Sequence, residues 1–113
     1  MNKNDITLSI CIPTYNRPMH LENCLEAINI SKQNCLELNL EVCISDNGSR
    51  HNIESIVEKY SKTLVIKFNR FKRNLGITTN FLKVVEMAEG EFVWTIGNDD
   101  LLLPNSLSEV SQL

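Results

Sequence analysis

The sequence predicts an α/β protein, a three-layer α/β/α sandwich built on a mainly parallel sheet. Two observations predict it. Short apolar runs of strand character alternate with stretches whose apolar residues recur at helical spacing, in the order βαβαβαβα. Each strand has a helix next to it in sequence, which argues for parallel strands joined by right-handed crossovers with helices on the sheet faces. No internal repeat, low-complexity tract or linker interrupts the pattern.

The first strand is the mostly apolar run Ile6-Thr7-Leu8-Ser9-Ile10-Cys11-Ile12, as expected of a strand in a parallel sheet. Pro13-Thr14-Tyr15-Asn16-Arg17-Pro18 breaks it, and Pro18 suits the first turn of a helix. Leu21, Cys24, Leu25 and Ile28 then form the apolar stripe of that helix, which the polar tract 31–34 ends. Leu38, Leu40, Val42 and Ile44 alternate as a second strand that stops at Ser45-Asp46-Asn47-Gly48-Ser49. Ile53, Ile56, Val57 and Tyr60 mark a second helix, with Asn52 as its N-cap. Leu64, Ile66 and Phe68 alternate in a third strand, and the loop after it carries Arg70, Lys72 and Arg73. A third helix is expected from about Thr79, turning Phe81, Leu82, Val85 and Ala88 inward, with Glu89-Gly90-Glu91 at its end. Residues 92–96 form the fourth strand, and Pro104 opens a last helix with Leu107 and Val110 apolar.

The 113 residues make one domain at most, or part of one. A hydrophobic content of 42% and a charged content of 22% suit a folded globular chain. The net charge of -3 offers nothing to nucleic acid or an anionic membrane. No apolar run reaches the roughly 18 residues of a membrane span. The polar start lacks the apolar core of a signal peptide, so a cytoplasmic setting is expected. Cys11, Cys24, Cys35 and Cys43 form no C-x-x-C pair and read as buried free thiols; His20 and His51 read as surface residues.

The most informative stretch is Trp94-Thr95-Ile96-Gly97-Asn98-Asp99-Asp100, where an apolar strand stops at two adjacent carboxylates. In open α/β sheets, ligands bind outside the carboxyl ends of the strands. An oxygen-only pair at that edge suits Mg²⁺ or Mn²⁺, ions that also take ligands from a substrate phosphate. With the strands parallel, the segments 13–17, 46–49 and 97–100 meet at one edge. They bring together an aromatic ring, hydroxyls, amides, acids and an arginine. A nucleotide has a base to stack, base edges and ribose hydroxyls to bond, and phosphates that need a cation. Neither a G-x-x-x-x-G-K-[ST] phosphate loop nor a G-x-G-x-x-G fingerprint is present.

Four features in order carry a family resemblance. They are Ile12-Pro13-Thr14-Tyr15-Asn16-Arg17; Ile44-Ser45-Asp46-Asn47-Gly48-Ser49; Arg73-Asn74-Leu75-Gly76 with Asn80; and Ala88-Glu89-Gly90-Glu91-Phe92 leading to Asn98-Asp99-Asp100 and Pro104. The chain resembles the N-terminal, nucleotide-binding part of an inverting family 2 glycosyltransferase with the GT-A fold. The resemblance implies that residues 1–113 are the donor-nucleotide-binding part of a truncated glycosyltransferase domain, with the acceptor part absent. It further implies that Pro13, Thr14 and Tyr15 line the base and ribose pocket, with Arg17 and Gly76 nearby. Asp46 is expected to accept a hydrogen bond from the base edge, typically a uracil N–H. Asn47 stands where a second Asp is frequent. Asn98 and Asp99 face the ribose or diphosphate, and Asp99 and Asp100 hold Mg²⁺ or Mn²⁺. The cation then stabilises the leaving nucleoside diphosphate as a Lewis acid.

Two departures follow. The first Asp of the family's Asp-x-Asp-Asp pattern falls on Gly97, which leaves Asp99 as the main metal ligand and Asn98 as a weak helper. No general base is evident; it is expected beyond Leu113, and the chain alone is expected to be inactive. The donor implied is a nucleotide-diphosphate sugar, a UDP-sugar foremost, and the acceptor a saccharide or lipid-linked one. The implied setting is polysaccharide assembly, with the parent enzyme at the inner face of the membrane. Self-association through uncovered surfaces is also expected. The alternative is a nucleotide-sugar-binding module without catalysis. A phosphoacceptor receiver domain is rejected: it wants an acidic pair after the first strand and an Asp after the third, where Pro13-Thr14 and Asn69-Arg70 stand.

Overall fold

The computed structural model describes residues 6–96. Within them the order is β1 (Leu8–Thr14), α1 (Pro18–Gln33), β2 (Leu40–Asp46), α2 (Glu54–Tyr60), β3 (Ile66–Arg70), α3 (Ile77–Glu86) and β4 (Phe92–Thr95). The strands form one sheet in the order β3-β2-β1-β4, and every pairing is parallel. The α/β expectation holds. The last expected helix, after Pro104, lies outside the described residues.

The strand order dictates the layers. The chain steps from β1 outward to β2 and β3, then crosses back to place β4 on the far side of β1. A right-handed crossover keeps its helix on one face while the chain moves one way, and on the other face when it reverses. Accordingly Leu21, Cys24, Leu25 and Ile28 of α1 and Val57 and Tyr60 of α2 pack with Leu8, Ile10, Ile12, Leu40, Val42 and Ile44 in one core. Val84 of α3 packs with Cys11 and Cys43 on the opposite face. Strand side chains alternate between faces, so the i, i+2 residues of β1 and β2 divide cleanly between these two cores.

The second face is partly polar. Glu41 in β2 is fully buried there and accepts hydrogen bonds from Ser9 Oγ (2.6 Å) and the Glu89 amide (2.7 Å). Its other oxygen is 2.9 Å from Lys67 Nζ in β3. Lys67 also pairs with Glu89 at 3.1 Å and donates to the Met87 carbonyl. Gly90 completes the knot: its amide donates to Ser9 Oγ, and a Cβ there would lie 2.7 Å from the Ser9 nitrogen. Burial opposes ionisation of Glu41, but the Ser9 and Glu89 bonds and Lys67 outweigh it and hold its carboxyl below the ordinary range.

Two element readings change in detail, and one expected cap contact is kept. β1 runs two residues past Ile12, through Pro13 and Thr14. The Thr14 carbonyl accepts the Asn47 amide, so Thr14 faces β2 and Pro13 faces the β4 side. The described pairing there ends at Cys11 with Thr95, and a missing N–H costs no ladder bond. The expected cap contact forms, with Asn52 Oδ1 accepting the Ser55 amide at 3.2 Å, and Ile53 stands at the boundary of α2. The third helix starts at Ile77 rather than near Thr79; Val85 and Ala88 pack inward on the second core as expected, but its first turns do not present the expected residues. Asn80 and Val84 are buried, while Phe81 (41% exposed) and Leu82 (61%) face outward. The reason is Asn80: its Nδ2 donates to the Ser45 carbonyl (2.9 Å), so a polar side chain anchors the inner face that an apolar stripe was expected to fill. All four cysteines are free and buried, and His20 and His51 are exposed, as read from the sequence. No helix among the described residues is long and apolar enough to cross a membrane.

Candidate functional site

The reversal of strand order at β1 makes a topological switch point, and α/β sheets bind ligands in the crevice outside the carboxyl ends of the strands there. A cleft of about 140 Å³ opens at that edge, lined by Pro13, Thr14, Tyr15, Asn47, Ile77 and Asn80. It is framed by the tail of β1, the turn after β2 and the first turns of α3.

The β1 side is shaped by Asn16, which sits at φ 52°, a left-handed conformation that Asn tolerates better than most residues. Its amide donates to Ser49 Oγ (2.6 Å), and its Oδ1 accepts the Arg50 amide (2.8 Å). The loops after β1 and β2 are thereby tied together. Tyr15, just before, keeps its ring 39% exposed at the cleft. Thr14 is buried, and Pro13 is half-buried.

The β2 side is organised by Asp46. Its carboxylate is fully buried and accepts both the Ser49 amide (3.1 Å) and the Ser49 hydroxyl. Arg70 Nε lies 3.4 Å away, and Arg70 also reaches Glu54 (2.7 Å) and the Ser49 carbonyl (2.8 Å). The register explains the pairing, since Asp46 stands opposite Arg70 across β2 and β3. Gly48 follows at φ +81°, and the backbone of Arg73 passes so close that a Cβ on Gly48 would lie 2.5 Å from it.

The third side is the loop 73–76 and the start of α3. Asn47 Nδ2 donates to Asn74 Oδ1 (2.9 Å) and to the Gly76 carbonyl (3.2 Å), and Asn47 Oδ1 accepts the Leu75 amide (2.9 Å). Gly76 turns the chain into the helix at φ +96°. Asn80 lines the cleft, and its buried Oδ1 has no partner among the described residues.

The structure therefore brings Pro13, Thr14, Tyr15 and Asn47 together around one cleft, with Asp46 buried next to it in the chain and Gly76 at the base of the loop. Arg17 is exposed at the head of α1 and is not among the residues lining the cleft. Asn98, Asp99 and Asp100, with Gly97 before them, lie outside the described residues. Among the described residues no group of three or more His, Cys, Asp or Glu side chains could hold a metal ion, so the cation reading rests on that acidic segment. Sequence reasoning treated Arg70 as one more charge in a basic loop. Its position at the end of β3, level with Asp46, is what separates it from Lys72 and Arg73, although all three are exposed. Asn80 entered only as part of a motif, with no role attached.

A second cleft, of about 250 Å³, opens at the opposite, amino edge of the sheet, lined by Lys32, residues 36–40 and residues 63–65. Lys32 is occupied there by the carbonyls of Leu36 (2.9 Å) and Leu38 (2.5 Å).

A family model described as glycosyl transferase family 2 matches residues 9–112. The chain is 40% identical over 103 residues to the abequosyltransferase RfbV of Salmonella typhimurium, covering 89% of this chain and 30% of that protein. Its fold is similar to that of S. aureus TarS 1-349 in complex with UDP, with a TM-score of 0.84 and 27% identity, over 95% of this chain and 31% of that one. It is also similar in fold to the mannosyltransferase PcManGT from Pyrobaculum calidifontis in complex with GDP-Man and Mn²⁺. There the TM-score is 0.79 and the identity 21%, over 96% of this chain and 32% of that one. The chain thus spans roughly a third of the length of the proteins it matches.

Proposed function

Because this chain belongs to glycosyl transferase family 2, we propose that the complete protein transfers a sugar from a nucleotide-diphosphate sugar, with inversion, to a saccharide or lipid-linked acceptor. Residues 1–113 hold the donor nucleotide. The observation that carries the reading is the cleft at the β1 switch point, where Tyr15 offers an exposed ring between two loops locked by Asn16 and Ser49. The ring is the stacking surface for a base, with Pro13 and Thr14 as its floor. Asp46 is the acceptor for a base N–H: three of its roughly four acceptor directions are taken by Ser49 and Arg70, and its carboxylate, fully buried in the structure, has to be uncovered for a base to reach the fourth.

Asn98 and Asp99 are the residues that would bind the ribose and diphosphate, and Asp99 and Asp100 those that would hold Mg²⁺ or Mn²⁺. When bound, that cation offsets the charge growing on the leaving diphosphate. The base that deprotonates the acceptor hydroxyl comes from outside these residues. A UDP-sugar is the favoured donor, a choice supported by the UDP complex of the TarS neighbour. Surface-polysaccharide assembly at the inner face of the membrane is the favoured setting. Ile77, Phe81 and Leu82 on α3 and Phe92 and Val93 on β4 are exposed, which supports self-association or cover by another part of the protein.

The test is thermal-shift binding of UDP, GDP, CDP and dTDP to the complete protein, each with and without Mn²⁺. Saturation at about 100 times Kd adds roughly 2.7 kcal/mol to stability, a shift of several degrees. The expected result is a shift with UDP that grows with Mn²⁺ and loses that increment in Asp99→Ala. No shift with any nucleotide in a folded protein contradicts the reading.

A further inference from the structure

The side chain of Asn47 is 3% exposed, and each of its three bonds runs to the loop 74–76. We propose that Asn47 is a positioning residue: although the family often carries Asp here, in this chain both Nδ2 protons are used, so its carboxamide rather than an acid fixes the loop 74–76 and through it the wall of the cleft formed by the first turns of α3. The proposal rests on the reading of that cleft as the nucleotide site.

The bonds are directional. Both protons of Nδ2 go to acceptors, Asn74 Oδ1 and the Gly76 carbonyl, and Oδ1 takes the Leu75 amide. Asn74 Oδ1 also takes the Gly76 amide at 2.8 Å, so three consecutive loop residues are gathered on one side chain. Asn47 is itself anchored, because its backbone amide donates to the Thr14 carbonyl at the tail of β1 (2.9 Å). The Gly76 carbonyl is the group that receives the Asn80 amide (3.2 Å) and so opens α3, and no side chain caps that helix. Asn47 therefore reaches the first hydrogen-bonded turn of the helix whose Ile77 and Asn80 line the cleft. Residues 72–79 are otherwise exposed, and the loop's close contact with Gly48 sits on the same turn.

An aspartate at this position has the same shape and the wrong chemistry. It would set a carboxylate oxygen 2.9 Å from Asn74 Oδ1 and 3.2 Å from the Gly76 oxygen, with no proton for either. The Asn74 amide could rotate to offer its nitrogen, but that would break its bond from the Gly76 amide, and the Gly76 carbonyl has no such option. A second buried charge would also stand next to the buried Asp46 carboxylate.

The experiment measures the UDP dissociation constant with Mn²⁺ by calorimetry on the complete protein, at a temperature where each variant is shown to be folded. The variants are Asn47→Asp, Asn47→Ala, Asn74→Ala and the Asn47→Ala/Asn74→Ala double. Asn47→Ala loses all three side-chain bonds to the loop, of which the part felt at the cleft predicts about tenfold weaker binding, and Asn47→Asp, which adds repulsion at two of them, about thirtyfold or more. Asn74→Ala should weaken binding too, and the double variant should fall short of the sum of the two single effects, because the two side chains share one bond. Additive single effects, or wild-type affinity in folded Asn47→Asp, overturn the proposal. If Asn47→Asp does not fold, the cycle with the exposed Asn74 decides alone. A wild-type protein that binds none of the four nucleotides overturns the nucleotide reading itself, and this assignment with it.

Discussion

Glu41→Ala is expected to cost this domain about 2–4 kcal/mol, the sum of an N–H and a buried hydroxyl left without their acceptor and a cavity, since Lys67 is partly exposed and keeps Glu89. Glu41 is fully buried on the α3 face of the sheet and holds Ser9 of β1, Lys67 of β3 and the Glu89 amide before β4. Its loss leaves the Glu89 N–H without its acceptor and Lys67 with Glu89 alone as an acid partner at 3.1 Å. Urea denaturation of the variant measures the effect; a cost under about 1 kcal/mol, the scale of a surface pair, would contradict it. A pH dependence accompanies it. The folded-state carboxyl lies below its ordinary value, so its stabilisation is complete above about pH 4.5 and is lost as pH falls through the folded value. The wild type should therefore lose stability on acidification by more than a Glu41→Gln variant, which has no carboxyl to protonate at that position.

Gly48→Ala is expected to cost about 2–4 kcal/mol, combining a left-handed backbone with a steric overlap. The residue is at φ +81°, and an added Cβ would meet the carbonyl carbon of Arg73 at 2.5 Å and its Cα at 2.6 Å. These are backbone atoms that cannot rotate aside, so the loop 73–76 must move. Because that loop is bonded to Asn47 and opens α3, UDP affinity should fall together with stability. A variant as stable as the wild type would show that the turn has room the structure does not give it.

Much of the fold was legible because each strand has one apolar face. The alternation of Leu40, Val42 and Ile44, and of Ile66 and Phe68, survives directly as the packing of one core. The stripe of α1 was legible for the same reason. The second face was not, because its residues are not uniformly apolar. Glu41 and Asn80 are buried through specific partners distant in sequence, and hydropathy periodicity assigns such residues to the surface. That is also why α3 was expected to turn Phe81 and Leu82 inward. At the site, the turn chemistry of 46–49 was visible in the sequence. The Asp46–Arg70 pair and the hold of Asn47 on the loop 74–76 depend on strand register and on hydrogen-bond direction, which the sequence does not display.

Hydrogen exchange of the complete protein with and without UDP and Mn²⁺ tests the central claim most directly, because it locates the nucleotide. Added protection is expected in residues 14–17, 47–50 and 75–81, around the cleft at the carboxyl edge of the sheet. Protection concentrated instead at residues 36–40 and 63–65, around the cleft at the amino edge, would contradict it.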